Sequence, residues 1–133
     1  MNDPRIYRFD CENPPSKQER AAIEAVFEEQ DWNNPKGIII SAFLKNESVG
    51  ILTADLGKQL AHIVKISQIA EKLGVATQMH AEFEKISDGR WQTADTAPYN
   101  NKAKFFFTRM GYQPGDVSTT TGLLHFFKPA TKN

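Results

Sequence analysis

The sequence has almost no cysteine, no long apolar run and no excess of charge of either sign. Cys11 is the only cysteine, which excludes an internal disulfide and is typical of a protein of the reducing cytoplasm. No stretch of about 18 apolar residues occurs, so no membrane span is expected, and the N-terminal segment lacks the features of a secretory signal. Sixteen basic residues balance sixteen acidic ones, which argues against a nucleic-acid-binding surface.

Residues that bind metals are also scarce. The three histidines, His62, His80 and His125, lie far apart in the sequence, and Cys11 has no second cysteine beside it. This spacing does not match the paired ligands of a zinc site, so no metal site is predicted. The chain does have 40% hydrophobic residues in 133, which is enough for a core, and we expect residues 1–133 to form a single domain.

The order of apolar patterns predicts an α/β (α+β) fold. Runs rich in β-branched and aromatic residues indicate strands at 5–9, 38–44, 49–56, 60–67, 90–96 and 122–129, with one more short strand between 112 and 117. Helical spacing with start and stop signals indicates helices at 16–30, at 74–86 and between Pro98 and Gly111. The predicted order is β-α-β-β-β-α-β-α-β(β), in a mixed, mostly antiparallel sheet flanked by helices.

One part of this order predicts where a ligand binds. The strand at 60–67, the helix at 74–86 and the strand at 90–96 form a right-handed crossover, which would make the two strands parallel. Ligands of such sheets bind beyond the carboxyl ends of the strands, near the N-terminus of the helix. The region of interest is therefore 67–76.

Two motifs placed in this order resemble the GNAT superfamily of acyl-CoA-dependent N-acyltransferases. The segment ISQIAEKLGVA leads into the helix at 74–86, and NNKAKFFFTRMGY follows the next strand. The family has a loop of pattern Arg/Gln-x-x-Gly-x-Gly/Ala, whose last two positions match Gly74 and Ala76. It also has Asn-x-x-Ala…Phe-Tyr…Gly-Phe, which is matched at the family's spacing by Asn100, Ala103, Phe106, Gly111 and Tyr112.

The resemblance implies that acetyl-CoA or coenzyme A is the co-substrate. In the family, backbone N–H groups of the loop hold the pyrophosphate, and a helix start with small residues suits an anion. The family's fourth strand has a bulge that supplies a backbone N–H to the thioester carbonyl, and its asparagine helps to hold the pantetheine or phosphate portion. The residues implied in these contacts are Lys72, Gly74, Val75 and Ala76 in the loop, Val64 to Ile66 in the strand, and Asn100.

Two positions depart from the family pattern. Glu71 stands where the family has Arg or Gln, and a carboxylate beside a pyrophosphate is repulsive, although an acidic residue also suits a helix N-terminus. Phe107 occupies the cofactor-site position, four residues before Gly111, at which the family often has a tyrosine that protonates the leaving thiolate. Phenylalanine has no proton to give. For Asn100, a local helix-capping bond is the alternative role.

His62 is the favoured base and Asp55 the second candidate. An imidazole with its ordinary pKa of about 6.5 suits proton abstraction near neutrality, directly or through a water. Strand alternation predicts that His62 shares a face with Val64 and Ile66. The alternatives are a structural sheet histidine and a turn aspartate. We expect a solvated His80, and surface hydroxyls on the two tyrosines that flank the last helix, Tyr99 and Tyr112.

The favoured function is transfer of an acetyl (acyl) group from acetyl-CoA to a primary amine, on a small molecule or a peptide, by direct attack in a ternary complex. The alternative is a GNAT-like module with little or no turnover that binds coenzyme A or a protein partner, and Glu71 and Phe107 favour it. A cytoplasmic location is expected, without nucleic acid or membrane as partner. Monomer and homodimer both remain open.

Overall fold

A computed structural model describes residues 6–10, 36–44, 47–68 and 74–130, together with six residues between 17 and 28, all of which are helical. Seven strands form one sheet in the order β1-β2-β3-β4-β5-β7-β6. Their bounds are Ile6–Asp10 (β1), Gly37–Leu44 (β2), Glu47–Leu56 (β3), Leu60–Gln68 (β4), Trp91–Thr96 (β5), Gln113–Val117 (β6) and Leu124–Lys128 (β7). Helix α1 (Val75–Ile86) follows β4, and helix α2 (Asn101–Arg109) follows β5.

The predicted mixed sheet is confirmed. β4 and β5 are parallel, as the crossover rule requires, and β1 is parallel to β2, while the other neighbouring strands are antiparallel. The short strand predicted between 112 and 117 is β6, at one edge of the sheet. In the described part of the chain, neither helix has the length and apolar character needed to cross a membrane.

The two faces of the sheet carry different side chains, because successive residues of a strand point to opposite sides. The helix face packs against α1 and α2 and forms the larger core, which includes Ile40, Leu52, Ile63, Met79, Phe83 and Phe107. On the other side, called the second face, Ile39 and Ile51 pack with Val26. The strand register continues this second face with Thr53, Asp55, His62, Thr93, Asp95 and His125.

β4 contains a bulge at Val64. Ile63 pairs with Ala54 and Lys65 with Thr53, so Val64 has no partner on β3. The bulge expected between Val64 and Ile66 is therefore confirmed. The prediction that His62, Val64 and Ile66 share a face is wrong, because the extra residue shifts the alternation. Ile66 lies opposite Leu52 and packs against the core of the helix face, whereas His62 is on the second face.

β4 and β5 separate at this bulge. Their recorded pairing runs from Leu60 with Trp91 to Ile63 with Ala94, yet β4 continues to Gln68 and β5 to Thr96. An extra residue bends a strand and increases its twist, which directs it away from its neighbour. A gap in the sheet opens as a result at the carboxyl ends of the two strands.

The predicted end of the last helix at Gly111 is confirmed. Gly111 has φ of 96°, and its N–H donates to the Thr108 carbonyl. The N–H of Tyr112 donates to the Phe107 carbonyl, which completes a Schellman motif. The rings of Phe107 and Tyr112 lie 5.3 Å apart between centroids, so this turn brings Tyr112 back against the core.

His80 and Tyr112 form a buried polar pair, which overturns two predictions. His80 was expected in solvent but is 1% exposed, and Tyr112, expected to have a surface hydroxyl, is 3% exposed. The two side chains are hydrogen-bonded, with 2.7 Å between His80 Nε2 and the Tyr112 oxygen. The physical reason is that the rings of Phe83, Phe106 and Tyr112 cover this side of α1. Tyr99 is exposed, as expected.

An ion pair between Glu84 and Lys128 connects the His80–Tyr112 hydrogen bond to β7. The Glu84 carboxylate, 3.7 Å from His80 Nδ1, pairs with Lys128, whose Nζ also donates to the Met110 carbonyl at 2.9 Å. Burial lowers the pKa of His80 to about 4, with Glu84 opposing the shift and Lys128 adding to it. Burial also raises the pKa of Tyr112 above its ordinary range, so both side chains are uncharged near neutral pH.

The pKa of His80 predicts how stability depends on pH. Between pH 6.5 and about 4, an unfolded histidine binds a proton that the folded protein does not accept at His80. The contribution of His80 is therefore complete above pH 6.5, and the free energy of unfolding should fall by about 3 kcal/mol as the pH is lowered to 4. Urea denaturation at a series of pH values measures this slope.

The variant His80→Gln keeps a polar amide near the Tyr112 hydroxyl but does not titrate. Its free energy of unfolding should depend less steeply on pH over the same interval. The difference in slope corresponds to at most one fewer proton taken up on unfolding. Parallel curves for the two proteins would show that His80 does not have a lowered pKa.

Candidate active site

A cavity of about 430 Å³ occupies the gap between β4 and β5. Its lining includes side chains of both faces of the sheet, so it joins the region under the helices to the second face. The residues that line it are Ile63, Val64, Lys65, Ile66, Ala76, Asp95, Thr96, Asn100, Lys102, Ala103, Phe106 and Phe107. Five of the eight predicted cofactor residues are in this set: Val64, Ile66, Ala76, Asn100 and Phe107.

The bulge is at the edge of this cavity. Val64 is outside the register with β3, and the pairing with β5 ends one residue earlier, at Ile63. Val64 is also 56% exposed, so its side chain is not held in the core. Bulges commonly present a backbone group or re-aim a side chain next to an active site, and this position is suited to that role.

The residue at the N-cap of α1 has no side chain that could cap the helix. Gly74 occupies this position with φ of 72°, and in the described part of the chain no side-chain cap is formed there. Ala76 is small and lines the cavity, while the Val75 side chain is 1% exposed and belongs to the core, which leaves only its backbone for a ligand. Lys72 and Glu71 lie outside the described residues.

The N-terminus of α2 forms a second wall. The Oδ1 of Asn100 accepts the Ala103 N–H at 3.1 Å, and Asn100 also lines the cavity, so the capping role and the ligand role are compatible in one residue. Lys102 lines the cavity too and was not predicted from the sequence. A signal was available, because a cation in the first turn opposes the helix dipole unless an anion binds nearby.

Phe107 lines the cavity with an apolar ring. It is 5% exposed and contacts the rings of Phe106, Tyr112 and Phe126. Neither Tyr99 nor Tyr112 is among the lining residues, and the Tyr112 hydroxyl is bonded to His80. Among the described lining residues, only Thr96 carries a hydroxyl group.

The predicted bases, His62 and Asp55, lie opposite each other on β4 and β3. Neither lines the cavity; the acidic residue that does is Asp95, which was not predicted. His62 Nδ1 is 2.7 Å from Thr93 Oγ1, and its Nε2 is 3.7 Å from Asp95 Oδ2. On the other side, Asp95 Oδ1 is 2.8 Å from His125 Nδ1.

These three residues form a His-Asp-His cluster across β4, β5 and β7 on the second face. The cluster is partly open to solvent: the side chains of His62 and Asp95 are each 36% exposed and that of His125 is 44% exposed. Strand alternation in WQTADT places Thr93 and Asp95 on one face, but the partner strand β7 comes after β6 in sequence, so His125 could not be assigned to Asp95 beforehand. Within the described ranges, no group of three or more candidate ligands could hold a metal ion.

The fold is that of many solved acetyltransferase structures, although no protein-family model and no curated protein matches the sequence. A Klebsiella pneumoniae protein assigned as an acyl-CoA N-acyltransferase gives a TM-score of 0.68 at 17% identity, over 86% of this chain and 88% of that one. One from Bacillus anthracis, assigned as a streptothricin acetyltransferase and solved with acetyl coenzyme A, gives 0.65 at 20% identity, over 74% and 65%. A Desulfovibrio desulfuricans protein assigned as a GNAT-family acetyltransferase gives 0.66 at 12% identity, over 89% and 96%. The strand order and these likenesses show that this chain has the GNAT fold, as the two motifs led us to expect.

Proposed function

We propose that this protein transfers an acetyl group from acetyl-CoA to a primary amine of a small-molecule or peptide acceptor. The observation that carries the proposal is the cavity between the diverging strands β4 and β5, which connects an uncapped helix N-terminus with a polar cluster on the second face. The fold agrees, because the similar structures include acetyltransferases and one that contains acetyl coenzyme A. The single cysteine fits a cytoplasmic location.

The cavity suits a long, phosphate-bearing thioester. The backbone N–H groups at Gly74, Val75 and Ala76 would hold the pyrophosphate, because a helix N-terminus attracts an anion and Gly74 has no side chain to cap this one. Lys102 adds a positive charge at the wall formed by α2. Lys72 is proposed for the same group from its place in the loop, where it stands at an unconstrained position of the family pattern and could offset the charge of Glu71.

The apolar part of the cavity lining suits an acyl chain. Ile66, Ala103 and Phe107 provide an apolar lining, which excludes water and strengthens polar contacts to the reacting carbonyl. Asn100 faces the same space from the start of α2. The backbone N–H at the Val64 bulge would polarise the carbonyl oxygen as negative charge develops on it.

Acetyl-CoA supplies an activated acyl group, and the protein has to orient the amine and remove a proton. The amine nitrogen forms a bond to the acyl carbon, the C–S bond breaks, and the thiolate takes its proton from water. We assign His62 as the base and retain Asp55 as the second candidate. Because His62 does not line the cavity, its proton would arrive by way of Asp95, 3.7 Å from His62 Nε2, or through a bridging water.

A module that binds coenzyme A without turnover is the second candidate. Phe107 favours it, because the cavity offers no tyrosine hydroxyl to the thiolate. A coenzyme A thiolate leaves without full protonation, however, and positioning supplies much of the rate, so Phe107 does not exclude catalysis. Release of free thiol in the presence of a panel of amines separates the two candidates: coenzyme A binding without thiol release would favour the second.

Acetyl-CoA should stabilise the folded protein. A ligand that binds only the folded state at 100 times its Kd raises the free energy of unfolding by about 2.7 kcal/mol, so the Tm should rise by several degrees. A thermal-shift titration measures this. No shift with saturating acetyl-CoA and coenzyme A would contradict both candidate functions.

The charge of Lys102 provides a matched comparison for this titration. Lys102→Glu should weaken acetyl-CoA binding by roughly tenfold, because it replaces attraction to a phosphate with repulsion. Lys104→Glu makes the same change on the same helix at a position that does not line the cavity, and it should leave the Kd unchanged. Equal Kd values for the two variants would remove Lys102 from the site.

Two variants of Asn100 separate its capping role from its proposed ligand role. Asn100→Ala should lower the free energy of unfolding by about 1 kcal/mol through loss of the cap, whereas Asn100→Ser, which keeps a capping oxygen, should cost much less. If Asn100 also contacts acetyl-CoA, both variants should bind it more weakly. Wild-type affinity in Asn100→Ser would leave the cap as its role, and urea denaturation with acetyl-CoA titration gives both quantities.

A further inference from the structure

The cavity wall on the second face continues into a surface that combines charge with exposed rings. Asp95 belongs both to the cavity lining and to the His-Asp-His cluster, so an acceptor that approaches from this side meets the cluster first. Within the ranges that the structure describes, Val26 packs on this face only at Ile39 and Ile51, on β2 and β3. The chemistry of the surface around Asp95 therefore bears on which amine can reach the thioester.

One oxygen of Asp95 is available to a ligand. Oδ1 is occupied at 2.8 Å from His125 Nδ1, whereas Oδ2 is 3.7 Å from His62 Nε2, which is too far for a direct hydrogen bond. The neutral tautomer of His62 in which Nδ1–H donates to Thr93 Oγ1 leaves Nε2 as an acceptor. Two acceptors 3.7 Å apart can both lie at about 2.9 Å from one ammonium nitrogen.

An apolar surface begins directly beside this pair. Phe127 lies opposite Thr93, and Asp95 lies opposite His125. The two pairs are on the same face and two residues apart along the strands, which is about 6.6 Å. The Phe127 ring is stacked on His125, with centroids 6.4 Å apart and planes at 22°, and its centroid is 6.3 Å from that of Trp91. Trp91 is 45% exposed, and Leu60, which pairs with it on β4, is 51% exposed. Exposed apolar side chains beside a carboxylate are typical of a binding surface.

We propose that the acceptor is a small primary amine with an aromatic or similarly flat apolar group two to three bonds from its nitrogen. Asp95 and His62 bind its ammonium group, and Phe127 and Trp91 bind its ring. This assignment rests on the proposed function and names its substrate class. In the reaction, one ammonium proton passes to His62 Nε2 by way of Asp95 or a bridging water, and the freed lone pair forms the C–N bond. As the C–S bond breaks, the surplus proton of the acylated nitrogen passes through water to the thiolate, which leaves as free coenzyme A.

The test measures amine binding to the protein saturated with coenzyme A, by calorimetry, so that it does not depend on turnover. The probes are 2-phenylethylamine and propylamine, which share the ammonium group and differ in the ring. 2-Phenylethylamine should bind about tenfold more tightly, because only its ring can stack on the surface. Equal affinities, or tighter binding of propylamine, would overturn the assignment.

Two pairs of variants test the residues. Asp95→Asn should weaken binding of both amines by roughly tenfold and leave the coenzyme A affinity unchanged, while the same change at the exposed Asp116 on β6 should do neither. Trp91→Ala should weaken 2-phenylethylamine more than propylamine, whereas Phe105→Ala, which removes an exposed ring from α2, should weaken neither. Wild-type amine affinity in Asp95→Asn would overturn the role of this carboxylate.

The variant Asp95→Asn should fold, because partly exposed ion pairs contribute little to stability, and Trp91→Ala removes a side chain that lies outside the buried core. The outcomes also separate this inference from the function on which it rests. If coenzyme A does not bind, the proposed function fails and the acceptor assignment fails with it. If coenzyme A binds and the ring brings no preference, only the acceptor assignment fails.

Discussion

β4 has one residue more than β3 can pair with, and the geometry of the candidate site depends on that surplus at Val64. Without it, alternation would keep His62 and Ile66 on the same face, and β4 would have no local cause to leave β5 after Ile63. With it, the sheet opens where the two carboxyl ends separate, and side chains from both faces line one cavity. A small local irregularity therefore produces the concave space that the regular sheet would not have.

The helix side of this space is held by a buried polar bridge. His80 on α1 bonds to Tyr112, and Glu84 on the same helix pairs with Lys128 on β7, which in turn binds the carbonyl of Met110 at the end of α2. Buried polar groups that are satisfied by one another favour a single arrangement of the elements that carry them. Both helices supply lining residues of the cavity, Ala76 from α1 and Ala103 from α2, and this bridge links the two helices.

The sequence was informative wherever the signal was local. The strands, the crossover from β4 to β5, and the end of α2 at Gly111 follow from periodicity and turn chemistry, and the GNAT motifs placed Ala76, Asn100 and Phe107 in one cavity. Contacts between elements that are distant in the sequence could not be predicted from it. β7 pairs with β5 as well as with β6, and the pairing with β5 brings His125 to Asp95. No pattern within either strand indicates this pairing. His80 was misjudged because the rings that cover it come from α2 and the turn after it, whereas a helical pattern describes α1 alone.

Local sequence signals describe the donor side of the cavity, whereas the acceptor side depends on non-local strand pairing. On the proposed function, the donor side relies on backbone N–H groups, small residues and one bulge, which many side-chain sequences can provide, and this agrees with a shared fold at 12 to 20% identity. The acceptor side relies on particular side chains from three strands: the carboxylate of Asp95, two imidazoles and the ring of Phe127. Motifs can therefore indicate the donor, whereas the acceptor has to be inferred from where the sheet brings these side chains together.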